Sequence, residues 1–178
     1  MKQDLLGEVE MFLKQEAGFR LPHGQRTVYW VRRLKPDADD ALLIAAMGHD
    51  IYRPAERKGD FLDENFLKGH QVGSAEMIKD FLLKEGAEED LAERVKDLIS
   101  HHEEGGNEDQ NLLKDADSIS FFETKIDKFT CEKLAESNKE EIKRKFDWMY
   151  DRITSEKAKE IARPMYEEAI KRLTEKEA

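Results

Sequence analysis

Residues 41–47, "ALLIAAM", form a run of seven apolar residues without a charge or a turn former. Folded as a helix, such a run has no face to leave in water, so the rest of the chain has to surround it. It is far too short to cross a bilayer, which takes about 20 apolar residues. Just before it, "KPDADD" ends one helix and offers an aspartate N-cap for the next. Just after it comes "GHDIYR", where a buried segment ends on a glycine, a histidine beside an aspartate, and an arginine. A core helix would continue with leucine, and a surface helix with lysine and glutamate. His49-Asp50 is therefore either a satisfied polar pair or a pair that holds something.

The surroundings of that run are helical. The chain has 178 residues, enough for one domain with a sizeable core. Segments rich in Glu, Lys, Ala and Leu, with 10 glycines and 4 prolines, favour an all-α protein. Periodicity predicts helices over about 3–16, 23–34, 66–84, 88–101 and 110–123, with a loop at 52–65. Gly86 and "EEGGNED" mark breaks. From about 127 the chain is helical again, with an inward stripe of Ala158, Ile161, Ala162, Met165, Tyr166, Ala169, Ile170 and Leu173 that Pro164 should kink or bound. We expect one helical-bundle domain over 1–126, with 127–178 as C-terminal helices packing on it or forming a homodimer surface. Trp30, Trp148 and the phenylalanines read as core.

Net charge is −10, which argues against a nucleic acid polymer or an acidic membrane as partner. Cations are nevertheless grouped: Arg20, Arg26, Arg32, Arg33 and Lys35 in an acid-free stretch, then Arg53, Arg57 and Lys58. Such groups suit a small anionic ligand. Cys131 is the single cysteine, which excludes a disulfide framework and a cysteine-built zinc site. The amino terminus lacks a signal-peptide core, and a cytoplasmic location is the expectation.

All five histidines fall between residues 23 and 102. Imidazoles with carboxylates suit Fe, Mn, Zn or Ni and accommodate Mg. Adjacent helical residues point about 100° apart, so His49 and Asp50 cannot readily grip one ion within a helix. At a helix end, or with Asp50 bridging two ions through its two oxygens, the pair makes sense.

The order of these residues resembles the HD superfamily of metal-dependent phosphohydrolases. "HGQRTV" is similar to that family's opening motif, "GHDIYR" to its dyad and "LLKDADSIS" to its closing motif. "KGHQVGSAEMI" and "LISHHEEGG" resemble the segments that carry a second ion in a two-metal subset. The likeness spans roughly residues 20–123. It implies an HD-type bundle with His23, His49, Asp50 and Asp117 on one divalent ion. A second ion would take His70 and His101, with Asp50 shared. His102 is left as a supporting group, a substrate contact or a further ligand. Helical phase does not separate Asp115 from Asp117; only the resemblance favours Asp117, and Asp115 is expected to be exposed. Arg26 could orient His23, and Glu123 stands oddly within an apolar stripe.

The activity implied is hydrolysis of a phosphate ester or anhydride in a nucleotide-like small molecule by a metal-activated hydroxide. Asp50 would be central and Arg53 a phosphate clamp, helped by Arg57 or Lys58. His102, Glu103 or Glu104 would protonate the leaving oxygen. Within the subset the chain resembles symmetrical diadenosine-tetraphosphate hydrolases and cyclic-dinucleotide phosphodiesterases. It lacks the Gly-Tyr-Pro that follows the histidine pair in the latter. The alternative is a catalytically silent nucleotide- or metal-binding sensor.

Overall fold

The Asp39 carboxylate accepts a hydrogen bond from the Leu42 backbone N–H at 3.0 Å and so starts the helix at the centre of the molecule. In the computed structural model, which describes residues 4–52 and 62–175, that helix is α3 (Asp40–Gly48), and its residues 41–48 are all buried. It is preceded by α1 (Leu5–Ala17), a short 3-10 turn (Gly18–Arg20) and α2 (Leu21–Leu34). It is followed by α4 (Glu64–Lys84), α5 (Glu89–Ser100) and α6 (Glu108–Thr124). An irregular helical stretch comes next: Ile126–Lys128, a π turn at Phe129–Lys133, and Leu134–Glu136. The chain ends in α7 (Lys139–Asp151) and α8 (Glu156–Glu175). The fold is all-α, with no strand among the described residues. No helix among them is long and apolar enough to cross a membrane.

Helix α3 touches α1, α2, α5 and α6, which is how a wholly apolar helix loses its water. Leu42, Ile44, Ala45 and Ala46 are fully buried there among Val9, Leu13, Val31, Ile78 and Ile99. Helix α2 runs against both α3 and α6. The approach to α3 requires glycine at 24, because a Cβ at that position would sit 2.6 Å from the Met47 carbonyl oxygen and 3.0 Å from Leu13 Cδ2. Helix α6 in turn carries α8, which also packs on α7.

Asp115 corrects an expectation. It is 1% exposed rather than on the surface. Its two carboxylate oxygens accept from the backbone N–H groups of Thr154 and Ser155, at 2.7 and 2.8 Å, and so seat the start of α8 on α6. The predicted inward stripe of α8 is present, with Ala158, Ala162, Ala169 and Leu173 buried. Pro164 does not bound that helix; α8 continues through it.

Candidate metal centre

The donors are delivered by helix ends and by the α2–α6 pair. Helix α3 stops at Gly48, so His49 is its C-cap and Asp50 lies in the following turn, the helix-end placement that is one of the two the angular argument allows. Arg20 clamps this turn, donating to the Asp50 carbonyl at 2.5 Å and the Ile51 carbonyl at 2.8 Å. His70 projects from α4, next to Gln71 and Ser74 on its buried face. Helix α5 ends at Ser100, and the turn after it carries His102 and Glu103 inward. Gln71 fixes that turn by accepting from the Glu103 N–H at 3.2 Å and donating to the Glu104 carboxylate at 3.1 Å. His23 comes from α2 and Asp117 from α6.

Two buried groups of donors result, His23–His49–Asp117 and His70–His102–Glu103, each able to hold a metal ion. In the first, Asp117 Oδ1 lies 2.9 Å from His23 Nε2 and 3.3 Å from His49 Nε2. In the second, Glu103 Oε1 lies 3.7 Å from His70 Nε2 and 3.6 Å from His102 Nε2, and Asp50 Oδ1 lies 3.0 Å from His70 Nε2. The groups adjoin, since the His49 and His102 ring centroids are 5.0 Å apart.

The tautomers follow from the outer hydrogen bonds. A carbonyl only accepts, so His49, His70 and His102 donate from Nδ1 to the carbonyls of Ala46, Tyr52 and Ile99, at 2.9, 2.8 and 2.7 Å. The Ser120 hydroxyl gives its proton to the His23 carbonyl and that of Thr124 to the Ser120 carbonyl. Both hydroxyl oxygens then accept from His23 Nδ1, at 2.9 and 3.1 Å. Every neutral ring therefore turns an Nε2 lone pair toward the carboxylates, an arrangement typical of metal-ligating histidine. His49 Nε2 is buried without a hydrogen-bond partner. Lone pairs facing a carboxylate call for a cation between them. Two donors on one ion, each about 2.0–2.2 Å from it, stand roughly 3.0–3.5 Å apart. The separations in the first group fall within or at the edge of that range, and those in the second are looser.

The electrostatics agree at His23 and His102 and run the other way at His49. Burial lowers the His23 pKa and drives that of His102 down to about 3, leaving neutral, ligand-competent rings. At His49, burial opposes the charged form, but the Asp117 carboxylate, together with Asp50 and the Ala46 carbonyl, outweighs it and raises the pKa. Burial alone would raise Glu103 and Asp117. Burial is outweighed at both by several groups together, the Arg152 guanidinium foremost, with His102 and Lys145 at Glu103 and with His49 and His23 at Asp117; Glu103 is held at about 2 and Asp117 well below the usual range. Arg152 follows the end of α7, is buried, and ion-pairs with both Glu103 and Asp117. Its Nε donates to Ser118 Oγ at 2.9 Å.

The structure thus brings together His23, His49, Asp50, His70 and Asp117, and departs from the sequence reading at other positions. His101 lies outside both groups, its side chain 46% exposed and bonded to Asp97; His102 takes the inward place. The expectation had the two reversed. Glu103, considered only as a proton donor, is a cluster carboxylate, while Glu104 is exposed. Arg26 does not orient His23: it pairs with Glu123 at 2.8 Å, and Trp30 Nε1 donates to the same carboxylate at 2.8 Å. Arg53, Arg57 and Lys58 lie outside the described residues. Arg152 was missed, and so were Gln71 and Ser120.

Above the donors opens a cavity of about 400 Å³ that reaches His23, Asp50, His102, Glu103 and Asp117. Phenylalanines 19, 66, 121 and 129 line it; Phe121 and Phe129 also belong to the apolar core, as expected, whereas Phe19 is 71% exposed and does not.

An all-α protein with two adjoining buried His/carboxylate groups beneath an open cavity is thereby defined. Its sequence matches the family model for a domain of unknown function, DUF4202, over residues 8–173, and the chain belongs to that family. No curated protein and no solved structure matches it.

Proposed function

We propose that the protein is a metal-dependent phosphohydrolase acting on a nucleotide-like small molecule. The observation that carries this reading is the set of imidazoles whose Nδ1 protons are committed outward while their Nε2 lone pairs converge on buried carboxylates. The order of those donors along the chain supports the HD-type resemblance. His23, His49 and Asp117 would hold one ion. His70, His102 and Glu103 would hold a second, with Asp50 beside His70 as the carboxylate available to share. Divalent ions bound there supply Lewis acidity and lower the pKa of water into the neutral range.

The chain's own groups do the rest. Carbonyl and hydroxyl partners keep each ring oriented, and the Arg152 cation keeps Glu103 and Asp117 ionised and aligned. Lys125 lies near enough to His23 to depress its pKa further, and it lines the cavity where a phosphoryl group would enter. His102 and Glu103 serve as cluster groups, which leaves neither as the natural proton donor to the leaving oxygen.

Phosphate release from a nucleotide panel, using protein stripped by chelator and reloaded with Mn, Mg, Fe, Zn or Ni, tests the proposal. Turnover should depend on the added metal and disappear in Asp117→Asn and Asp50→Asn. Tight nucleotide binding with no turnover under any metal would replace it with the sensor reading.

A further inference from the structure

We propose that the lysines of the stretch after α6, with Lys145 of α7, form a second anion subsite, so that the substrate carries at least two phosphoryl groups. The inference rests on the phosphohydrolase reading for the position of the group that is cleaved.

Lys125, Lys128, Lys133 and Lys145 line the same cavity as the metal-binding donors, together with Arg20. Among the described residues the acids lining it are Asp50, Glu103 and Asp117, all at the donor floor. The wall is therefore cationic on a chain whose net charge is −10. A local reversal of sign in a concave site concentrates small anions.

The backbone is arranged to produce this wall. Residues 129–133 form a π turn, rare in proteins and frequent at functional sites. In an α-helix, Lys133 would stand five residues, and so about 140°, round from Lys128. The i→i+5 closure of the π turn brings Lys133 back toward the Lys128 face, and both line the cavity. Lys145 is buried, its Nζ held 4.3 Å from the Trp148 ring centroid and 5.9 Å from that of Phe121. Lys128 Nζ lies 5.8 Å from the ring centroid of Phe19, which is 71% exposed at the mouth. Lys125 flanks the floor beside His23, while Lys128 and Lys133 stand on a segment that carries none of the donors; a second phosphoryl group, linked to the one at the floor, can engage them.

Titration calorimetry of chelator-stripped protein with orthophosphate, pyrophosphate and tripolyphosphate at fixed ionic strength tests this independently of turnover. Tripolyphosphate should bind roughly tenfold or more tighter than orthophosphate, the scale of one or two charge-assisted contacts. The variant Lys125→Gln/Lys128→Gln/Lys133→Gln should lose that preference. Should it fail to fold by circular dichroism, Lys128→Gln alone, at an exposed position, should weaken tripolyphosphate roughly threefold. In the metal-loaded enzyme Lys128→Gln should raise KM for a triphosphate while leaving kcat, and p-nitrophenyl phosphate hydrolysis, unchanged. No preference in the native protein, or unaltered affinity in the variants, would overturn the subsite. Tighter binding of a single-stranded oligonucleotide than of tripolyphosphate would overturn it in favour of a polymer-binding surface.

Discussion

His101 and His102 are adjacent, yet one is exposed and the other is 1% exposed. His102 Nδ1 donates to the Ile99 carbonyl and leaves Nε2 facing Glu103, whereas His101 is spent on Asp97 at the surface. The two alanine substitutions should therefore separate cleanly. His102→Ala should empty the second group of metal and cut hydrolysis by more than the ten- to hundredfold typical of losing an outer hydrogen bond to a ligand. His101→Ala should leave metal content and rate at the native level. Elemental analysis of the purified variants, alongside initial rates, reads both outcomes; equal losses would place the donor wrongly.

At the scale of elements, the site depends on how closely α2 passes α3. Gly24 sits between His23 and the helix that ends in His49, and its missing side chain lets the Met47 carbonyl approach. Gly24→Ala must push the two helices apart, since a backbone carbonyl cannot swing away as a side chain can. The expected cost is about 1–3 kcal/mol, in the range of overpacked cores. Because His23 and His49 share Asp117, metal affinity should fall with it, and thermal melts of stripped and reloaded protein report both losses. Elements of this kind were legible in the sequence where the chemistry is local. Seven apolar residues, an aspartate cap and a histidine-aspartate pair at a helix end each declare themselves within a few positions. The His101–His102 choice was not legible, because both residues follow the last turn of α5, where helical phase no longer applies. Asp115 looked exposed because the partners that bury it, the N–H groups of Thr154 and Ser155, lie about 40 residues away. Glu103 was hidden for a similar reason, its orientation being set by Gln71 from another helix.

Over the whole molecule, the C-terminal helices are more than packing. Arg152 reaches the centre from 35 residues beyond Asp117 and bridges the carboxylates of the two donor groups. Buried carboxylates without a cation are costly, and removing one partner of such a pair typically costs 3–5 kcal/mol. Metal-free Arg152→Gln should therefore melt well below the metal-free native protein, by about 6–20 °C at roughly 2–4 °C per kcal/mol for a chain of this size. A divalent ion supplies the same positive charge to the same carboxylates. Metal should thus raise the melting temperature of Arg152→Gln by more than it raises that of the native protein, because ligand binding stabilises the folded state according to its affinity. Differential scanning calorimetry with chelator and with saturating Mn or Zn measures both shifts. Equal metal-induced shifts in the two proteins would mean that Arg152 and the ion do not act on a common set of carboxylates, and that the C-terminal helices only cover the site.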